Sequence, residues 1–425
     1  MSGRTPVVVT GLGAICGAGK SPASILDAIL EGRSALAPIA SWDVAHWPRP
    51  IAAEIADFNA AQLAGDRKLL KLIRRTDVVG LYAAGEAVRE AAYVAHREGL
   101  DAAAAAHFSE RTGLYAGSGG GNYQNQYDYF PLIEQAGGEL PAFGSELASM
   151  VNPMWLLKSL PNNVLCHVGI RFGIKGPNAC ITNHSVSGLL AIVEAAAGIV
   201  NGEADRAVAV GHDTPIEPQN VFYYHGAGLL AREKLRPFDA SRDGSLMGEG
   251  AGAMMVESEA SARARGATAL GRVLGAGHAT ESEGLLAIRD DGEGPARAIR
   301  AALADAGIDA RDVGMIVAHG NGTPASDASE AFAILDVFGA DAPPVTAFKW
   351  SIGHLIAAAG AIEAVLALEA LRRGVVPGIP VLDRIDPAFA ALPVSREARE
   401  PRSDVALVLS RGFGGTDGAL LIRAA

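Results

Sequence analysis

Gly176-Pro177-Asn178-Ala179-Cys180-Ile181-Thr182-Asn183-His184-Ser185-Val186-Ser187-Gly188 runs directly into Leu189 to Val200, an alanine-rich stretch whose only charge is Glu194. A short apolar strand turning sharply into a buried helix is the repeating unit of a mostly parallel sheet covered by helices. The turn places Ser185 at the helix amino terminus, where free backbone N–H groups and the helix dipole favour developing negative charge. That is a suitable place for a nucleophile. Ser185 or Asn183 read alone is more simply a helix cap.

The same unit recurs along the chain. Val7 to Val9 breaks at Thr10-Gly11-Leu12-Gly13, Ala207 to Val210 at Gly211-His212-Asp213, and Met315 to Ala318 at His319-Gly320-Asn321-Gly322; Ala406 to Leu409 is a further strand. A half up to Val256 is followed by a shorter one that opens with Arg272-Val273-Leu274 and repeats the rhythm. The expected architecture is α/β in two pseudo-duplicated halves, 1–256 carrying Ser185 and 257–425 carrying two histidines, with functional groups at the carboxyl ends of strands.

Composition narrows the function. A net charge of -11 gives no overall positive field to collect phosphates, which argues against nucleic acid and anionic membrane surfaces as partners. The cysteines Cys16, Cys166 and Cys180 form no CxxC pair and are too few for a disulfide framework, which points to a reducing compartment. The first residues hold an apolar run too short for a signal-peptide core. The best membrane-span candidate, Leu355 to Leu368, contains Glu363, so a cytoplasmic protein without membrane insertion is expected. Cys180, upstream of the turn, is expected in the core.

Two further segments raise the odds of catalysis at Ser185. Ala318-His319-Gly320-Asn321-Gly322-Thr323-Pro324 puts a histidine at a strand end, with Asp327 and Glu330 on the helix that follows. Lys349-Trp350-Ser351-Ile352-Gly353-His354-Leu355 puts a second where another strand turns into an alanine-rich helix bearing Glu363. Either histidine alone reads as a hydrogen-bonded structural residue. Two of them just past strand ends, one with a lysine five residues before it, read as a site.

These segments, taken in order, resemble the elongating β-ketoacyl-acyl-carrier-protein synthases of fatty-acid and type II polyketide pathways along essentially the whole chain. The carriers are VVVTGLG near the start, the GPN lead into Ser185, Arg236 to Gly252, Ala318 to Asp327, Lys349 to Ala364 and the closing Gly412 to Thr416. The resemblance implies a thiolase-like fold of five α-β-α-β-α layers, and a homodimer or a heterodimer with a sister synthase. It implies acyl carrier protein as partner, substrates carried on its phosphopantetheine, and no separate cofactor or metal. Carried over by position, Ser185, His319, His354 and Lys349 are the catalytic set. Glu330, Asn321, Thr323, Arg411 and Phe413 support it; Lys349 pairs electrostatically with Glu330, and the N–H groups of Ser185 and Arg411 form the oxyanion hole.

The chain departs from that family at the nucleophile, where threonine-alanine-cysteine or asparagine-alanine-cysteine is replaced by Asn183-His184-Ser185. A serine hydroxyl starts many pK units above a thiol and needs a general base at the moment of attack. An acyl-serine is also less electrophilic than a thioester. His184 is expected to pack rather than face Ser185. Arg411 replaces a phenylalanine and Asp417 an asparagine, with Arg411 either solvated or paired with an acid. Three readings stay open: an acyltransferase or condensing enzyme using Ser185, a partner subunit of the chain-length-factor kind, and a malonyl-carrier decarboxylase. Arg67, Lys68, Lys71, Arg74 and Arg75, in a stretch where Leu69, Leu72 and Ile73 recur at helical spacing, form the expected carrier-protein docking face.

Overall fold

In the computed structural model, which describes residues 4–119 and 129–425, ten strands join in one sheet. Those of the first half are β1 (Val7–Cys16), β2 (Thr112–Ser118), β3 (Asn178–Ile181), β4 (Arg206–Asp213) and β5 (Gly250–Ser258), in the order β3-β2-β4-β5-β1. Those of the second are β6 (Gly271–Thr280), β7 (Met315–Val317), β8 (Val345–Thr346), β9 (Val405–Gly412) and β10 (Thr416–Ala424), in the order β8-β7-β9-β10-β6. Raising each label of the first order by five gives the second. The directions match too: β2 is parallel to β3 and β4 as β7 is to β8 and β9, while β5 and β10 run antiparallel to both their neighbours. The two units meet where Val7 to Val9 pairs with Gly271 to Val273.

Helices complete the layers. α1 (Arg75–Glu90) covers β1, β4 and β5 from outside, and α3 (Glu293–Ala306) covers β6 and β10, with α4 (Pro324–Phe338) beside it. Between the two units, α2 (Ser187–Val200) packs on β2 and β4, α5 (Ala359–Arg372) on β5, β9 and β10, and the two helices on each other. The result is the five-layer α-β-α-β-α arrangement. α5 is buried along nearly its whole circumference, as a helix between the two halves of the sheet must be, which is why its sequence is mostly apolar.

Two strands run past the glycines expected to end them. β1 continues through Gly11 and Gly13 to Cys16, because these glycines serve close packing and not a turn: a Cβ at Gly11 would lie 2.1 Å from the Ala87 carbonyl oxygen of α1, and one at Gly13 2.0 Å from that of Ala83. β4 likewise continues to Asp213, with Gly211 against Gly188 and Ala361 of the central helices. Cys180 is half-buried on the edge strand β3, not in the core, since β3 has a neighbour on one side only.

The basic segment is not one helix. Arg67–Lys71 is a 3₁₀ turn and α1 starts at Arg75. Arg67, Lys68 and Lys71 face solvent, but Arg75 turns inward, its Nε donating to Glu249 at 2.7 Å and its guanidinium lying 3.7 Å over the Phe58 ring. Arg74 is half-buried at the α1 N-cap. A glutamate distant in sequence decided which cations stayed outside.

The helix contact at the centre is testable. A Cβ at Gly188 would lie 2.7 Å from the Ala357 carbonyl oxygen and 3.0 Å from the Ala361 Cβ. Gly188→Leu is expected to destabilise by about 3 kcal/mol, read as a lower denaturant midpoint at unchanged slope.

Candidate active site

The chain leaves β3, makes a 3₁₀ turn over His184–Val186, and enters α2. Ser187, not Ser185, serves the local backbone: its Oγ accepts from Asn183 N–H at 2.7 Å and donates to the His184 carbonyl at 2.7 Å. Ser185 is therefore released from capping. It is fully buried, and its Oγ lies 3.1 Å from His354 Nε2. His354 occupies the matching place in the second half, after β8 and before α5. The N-terminal turns of α2 and α5 touch, so both helix dipoles raise the potential at this point.

His319 follows β7, and its ring centroid is 5.1 Å from that of His354 in an edge-on arrangement. Its Nδ1 accepts the Arg411 N–H at 3.3 Å, which leaves the proton on Nε2. Glu330 of α4 fixes the loop by accepting from the N–H groups of His319, at 2.6 Å, and Gly320, at 2.9 Å. Lys349 makes its direct ion pair with Glu363 of α5, at 2.5 Å, and donates to the His319 carbonyl at 2.6 Å, while its charge also pulls on the buried Glu330 carboxyl. Burial, reinforced by the Lys349 charge, holds both imidazoles well below their ordinary pKa, so both are neutral at physiological pH. Burial also lifts the Glu363 carboxyl to about 7 against the pull of Lys349.

The expectation that His184 would face away from Ser185 is overturned. His184 adopts φ +46°, a left-handed conformation, and this turns its ring back so that Nδ1 lies 2.9 Å from Ser185 Oγ. Its Nε2 lies 2.6 Å from the Tyr224 hydroxyl, and the Phe413 ring stacks on it at 4.0 Å. The Arg411 N–H donates to His319 Nδ1 at 3.3 Å. The Phe413 N–H points into the nucleophile's corner, 3.4 Å from His184 Nδ1. Gly412 keeps that corner open, since a Cβ there would lie 3.3 Å from the Ser185 nitrogen.

Arg411 is not solvated. It is buried and ion-paired with Glu281, with Asp417 3.4 Å away, and burial pushes the Asp417 carboxyl up to about 7. Asn321 Oδ1 accepts from the N–H and hydroxyl of Thr323, at 3.0 and 2.8 Å, shaping the loop after His319. One pocket is lined by Ser185, His319, His354, Asn321, Thr323, Arg411 and Phe413, together with His184, Tyr224 and Leu285 to Ile288. Among the described residues no group of three or more His, Cys, Asp or Glu is arranged to hold a metal, and no helix is long and apolar enough to cross a membrane.

Four residues of this site lay outside the sequence-based set: His184 as a contact of Ser185, Tyr224, Glu281 and Glu363. The adjacency of His184 to Ser185 and the helical position of Glu363 were visible signals. Nothing local marked Tyr224 or Glu281.

The family model for the beta-ketoacyl synthase N-terminal domain matches residues 4–262, and that for the C-terminal domain residues 270–382. A protein of Coxiella burnetii named 3-oxoacyl-[acyl-carrier-protein] synthase 2 is 32% identical over 424 residues, 98% of either chain. Nodulation protein E of Rhizobium meliloti is 33% identical over 420 residues, again 98% of each. Among solved structures, the ishigamide ketosynthase/chain length factor superposes with a TM-score of 0.86 at 28% identity, covering 100% of both chains. A beta-ketoacyl synthase from Burkholderia phymatum gives 0.87 at 26% identity, covering 99% of this chain and 100% of that one.

The buried cluster predicts its own energetics. Arg411→Ala leaves Glu281 and Asp417 without their cation, and a loss of about 3–5 kcal/mol in unfolding free energy is expected from denaturant titration.

Proposed function

The chain belongs to the β-ketoacyl synthase family, and from that premise we propose that it is a condensing-type acyltransferase acting on acyl and malonyl thioesters of an acyl carrier protein in fatty-acid or polyketide synthesis. The observation that carries this reading is the approach of Ser185 Oγ to His354 Nε2, with His319 completing the same pocket. Ser185 is the proposed acyl acceptor, and its own N–H, with that of Arg411 or Phe413, each donating to a histidine Nδ1 in the resting site, supplies the proposed oxyanion donors. A chain-length-factor role is less economical, because it gives no use to two buried neutral imidazoles aimed at one pocket.

Decarboxylation has separate support, since it does not involve the nucleophile. In a malonyl thioester the bond to the carboxylate carbon breaks, carbon dioxide leaves, and the electron pair moves onto the thioester oxygen as an enolate. Imidazole N–H donors from His319 and His354 would stabilise that oxygen, and His319 already holds its proton on Nε2. The thioester arm would enter past Asn321 and Thr323. No metal or other cofactor is required by this chemistry.

The proposed assembly is a homodimer, or a heterodimer with a sister ketosynthase, through the β3 edge. Among the described residues β3 has a neighbour on one side only, and Leu156, Leu157 and Ile170 from the segments just before it are exposed. The two halves, 1–256 and 257–425, are the proposed domains. The carrier is proposed to dock on Arg67, Lys68 and Lys71, the cations of the basic segment that face solvent. Arg74 and Arg75, being half-buried, are secondary.

Incubation with malonyl carrier protein is expected to release carbon dioxide. His319→Ala should reduce the rate at least about 100-fold and Ser185→Ala should leave it within a few-fold, measured by mass spectrometry of the carrier. No release above background would refute the reading. Reversing Arg67 and Lys71 to glutamate should weaken carrier binding strongly at low salt and less at high salt, as titration calorimetry would measure.

A further inference from the structure

We propose that His184 is the general base for Ser185, with Tyr224 as its positioning residue, so that this chain forms an acyl-serine ester through a nucleophile–base pair of adjacent residues. The proposal rests on the reading of the protein as a thioester-dependent acyltransferase, and adds the means by which a serine works there.

Hydrogen-bond chemistry fixes the direction of the contact. The Phe413 N–H can only donate, and it points at His184 Nδ1 from 3.4 Å. Nδ1 is therefore the unprotonated nitrogen, and Nε2 carries the proton, donated to the Tyr224 oxygen at 2.6 Å. An unprotonated Nδ1 at 2.9 Å can receive only the Ser185 hydroxyl proton. The oxygen's lone pairs are then left for an N–H on His354 Nε2, at 3.1 Å on its other side. This is the order of groups that an activated serine needs: base, hydroxyl, and a donor for the alkoxide.

Three features show a built arrangement. His184 is held at φ +46°, which a non-glycine residue adopts only at a cost, and this backbone turn is what brings its ring over Ser185. Phe413 stacks on the ring with 18° between planes, a face able to stabilise an imidazolium once formed. Burial keeps the imidazole unprotonated at neutral pH, holding its pKa near 4. His354 is the weaker candidate for base, because the Lys349 charge as well as burial opposes an imidazolium there.

The step balances without a co-reactant. Ser185 Oγ bonds to the thioester carbonyl carbon as its proton passes to His184 Nδ1. The tetrahedral oxyanion collapses, the carbon–sulfur bond breaks, and the proton goes from His184 to the pantetheine sulfur. An acyl-serine and a free thiol remain.

The test is intact-mass measurement of acylation by acetyl- and octanoyl-pantetheine. The wild-type chain should gain one acyl group, lost in Ser185→Ala. His184→Ala should slow acylation about 100-fold or more. Tyr224→Phe should lower the rate at saturation while leaving the half-saturating concentration unchanged, a split that simple loosening of the pocket would not give. The control for folding is Ser185→Cys combined with His184→Ala, which should load readily, because a thiol there needs no adjacent base. Wild-type loading with undiminished rate in His184→Ala would overturn the base assignment while leaving the acyltransferase reading standing. Loading of Ser185→Cys but not of the wild-type chain would overturn it as well. Failure of every form, the cysteine variants included, would remove the acyltransferase reading and this inference with it.

Discussion

The approach of α2 to α5 is the constraint on which the molecule is built. Gly188 and Gly360 let the two helices touch at their first turns, Gly188 against Ala357 and Ala361, Gly360 against Leu189. Each helix follows the third strand of its half, so the contact aligns the two halves of the sheet and places the preceding turns face to face. Ser185 lies in one turn and His354 in the other. Fold and site are thus fixed by the same few small residues, and side chains larger than glycine at these points would separate the nucleophile from its imidazole as well as the two halves.

What surrounds those turns decides the electrostatics. Lys349 is fully buried, yet it is bound to Glu363 and to the His319 carbonyl, so its charge is both neutralised and used as a brace. An unpaired ammonium at that depth would be prohibitive. The pair tethers the His319 loop to α5, while Asp213 at the end of β4 holds the start of α5 through the Ala357 N–H at 3.2 Å. The His319 imidazole is positioned by the Arg411 N–H, the His354 imidazole contacts Ser185 Oγ, and both are kept neutral by their surroundings. Their proposed role as fixed N–H donors towards developing negative charge needs no change of protonation before the reaction.

The turns that carry Ser185, His319 and His354 were legible because their signals are local: β-branched runs, glycine or a small polar residue, then an alanine-rich helix. The halves were legible as rhythm, although their identity of strand order needed the pairings. Where the reading failed, a distant residue had intervened. Gly11 and Gly13 looked like a turn, but they admit the backbone of α1 seventy residues later. Arg75 matched a solvent-facing stripe, but Glu249 and Phe58 claim it. Glu330 and Glu363 were equally placed on helices after the histidines, and only the tertiary path showed which reaches Lys349. His184 was misread for a different reason, since adjacent residues at a helix start normally diverge and only its left-handed φ brings the ring back.

The departures from the family pattern come in chemically matched sets. A serine in place of the thiol nucleophile would be inert alone, and the residue beside it supplies an unprotonated imidazole nitrogen at 2.9 Å. An arginine in place of phenylalanine at position 411 would be an unpaired buried cation alone. It meets Glu281, and Asp417 stands 3.4 Å away where the pattern has asparagine. Here the Ser185 hydroxyl meets His184 Nδ1 and the Arg411 guanidinium meets Glu281, while the histidines, the lysine and the close helix contact are intact. That combination is the one the proposed acyltransferase, a site of altered chemistry, requires.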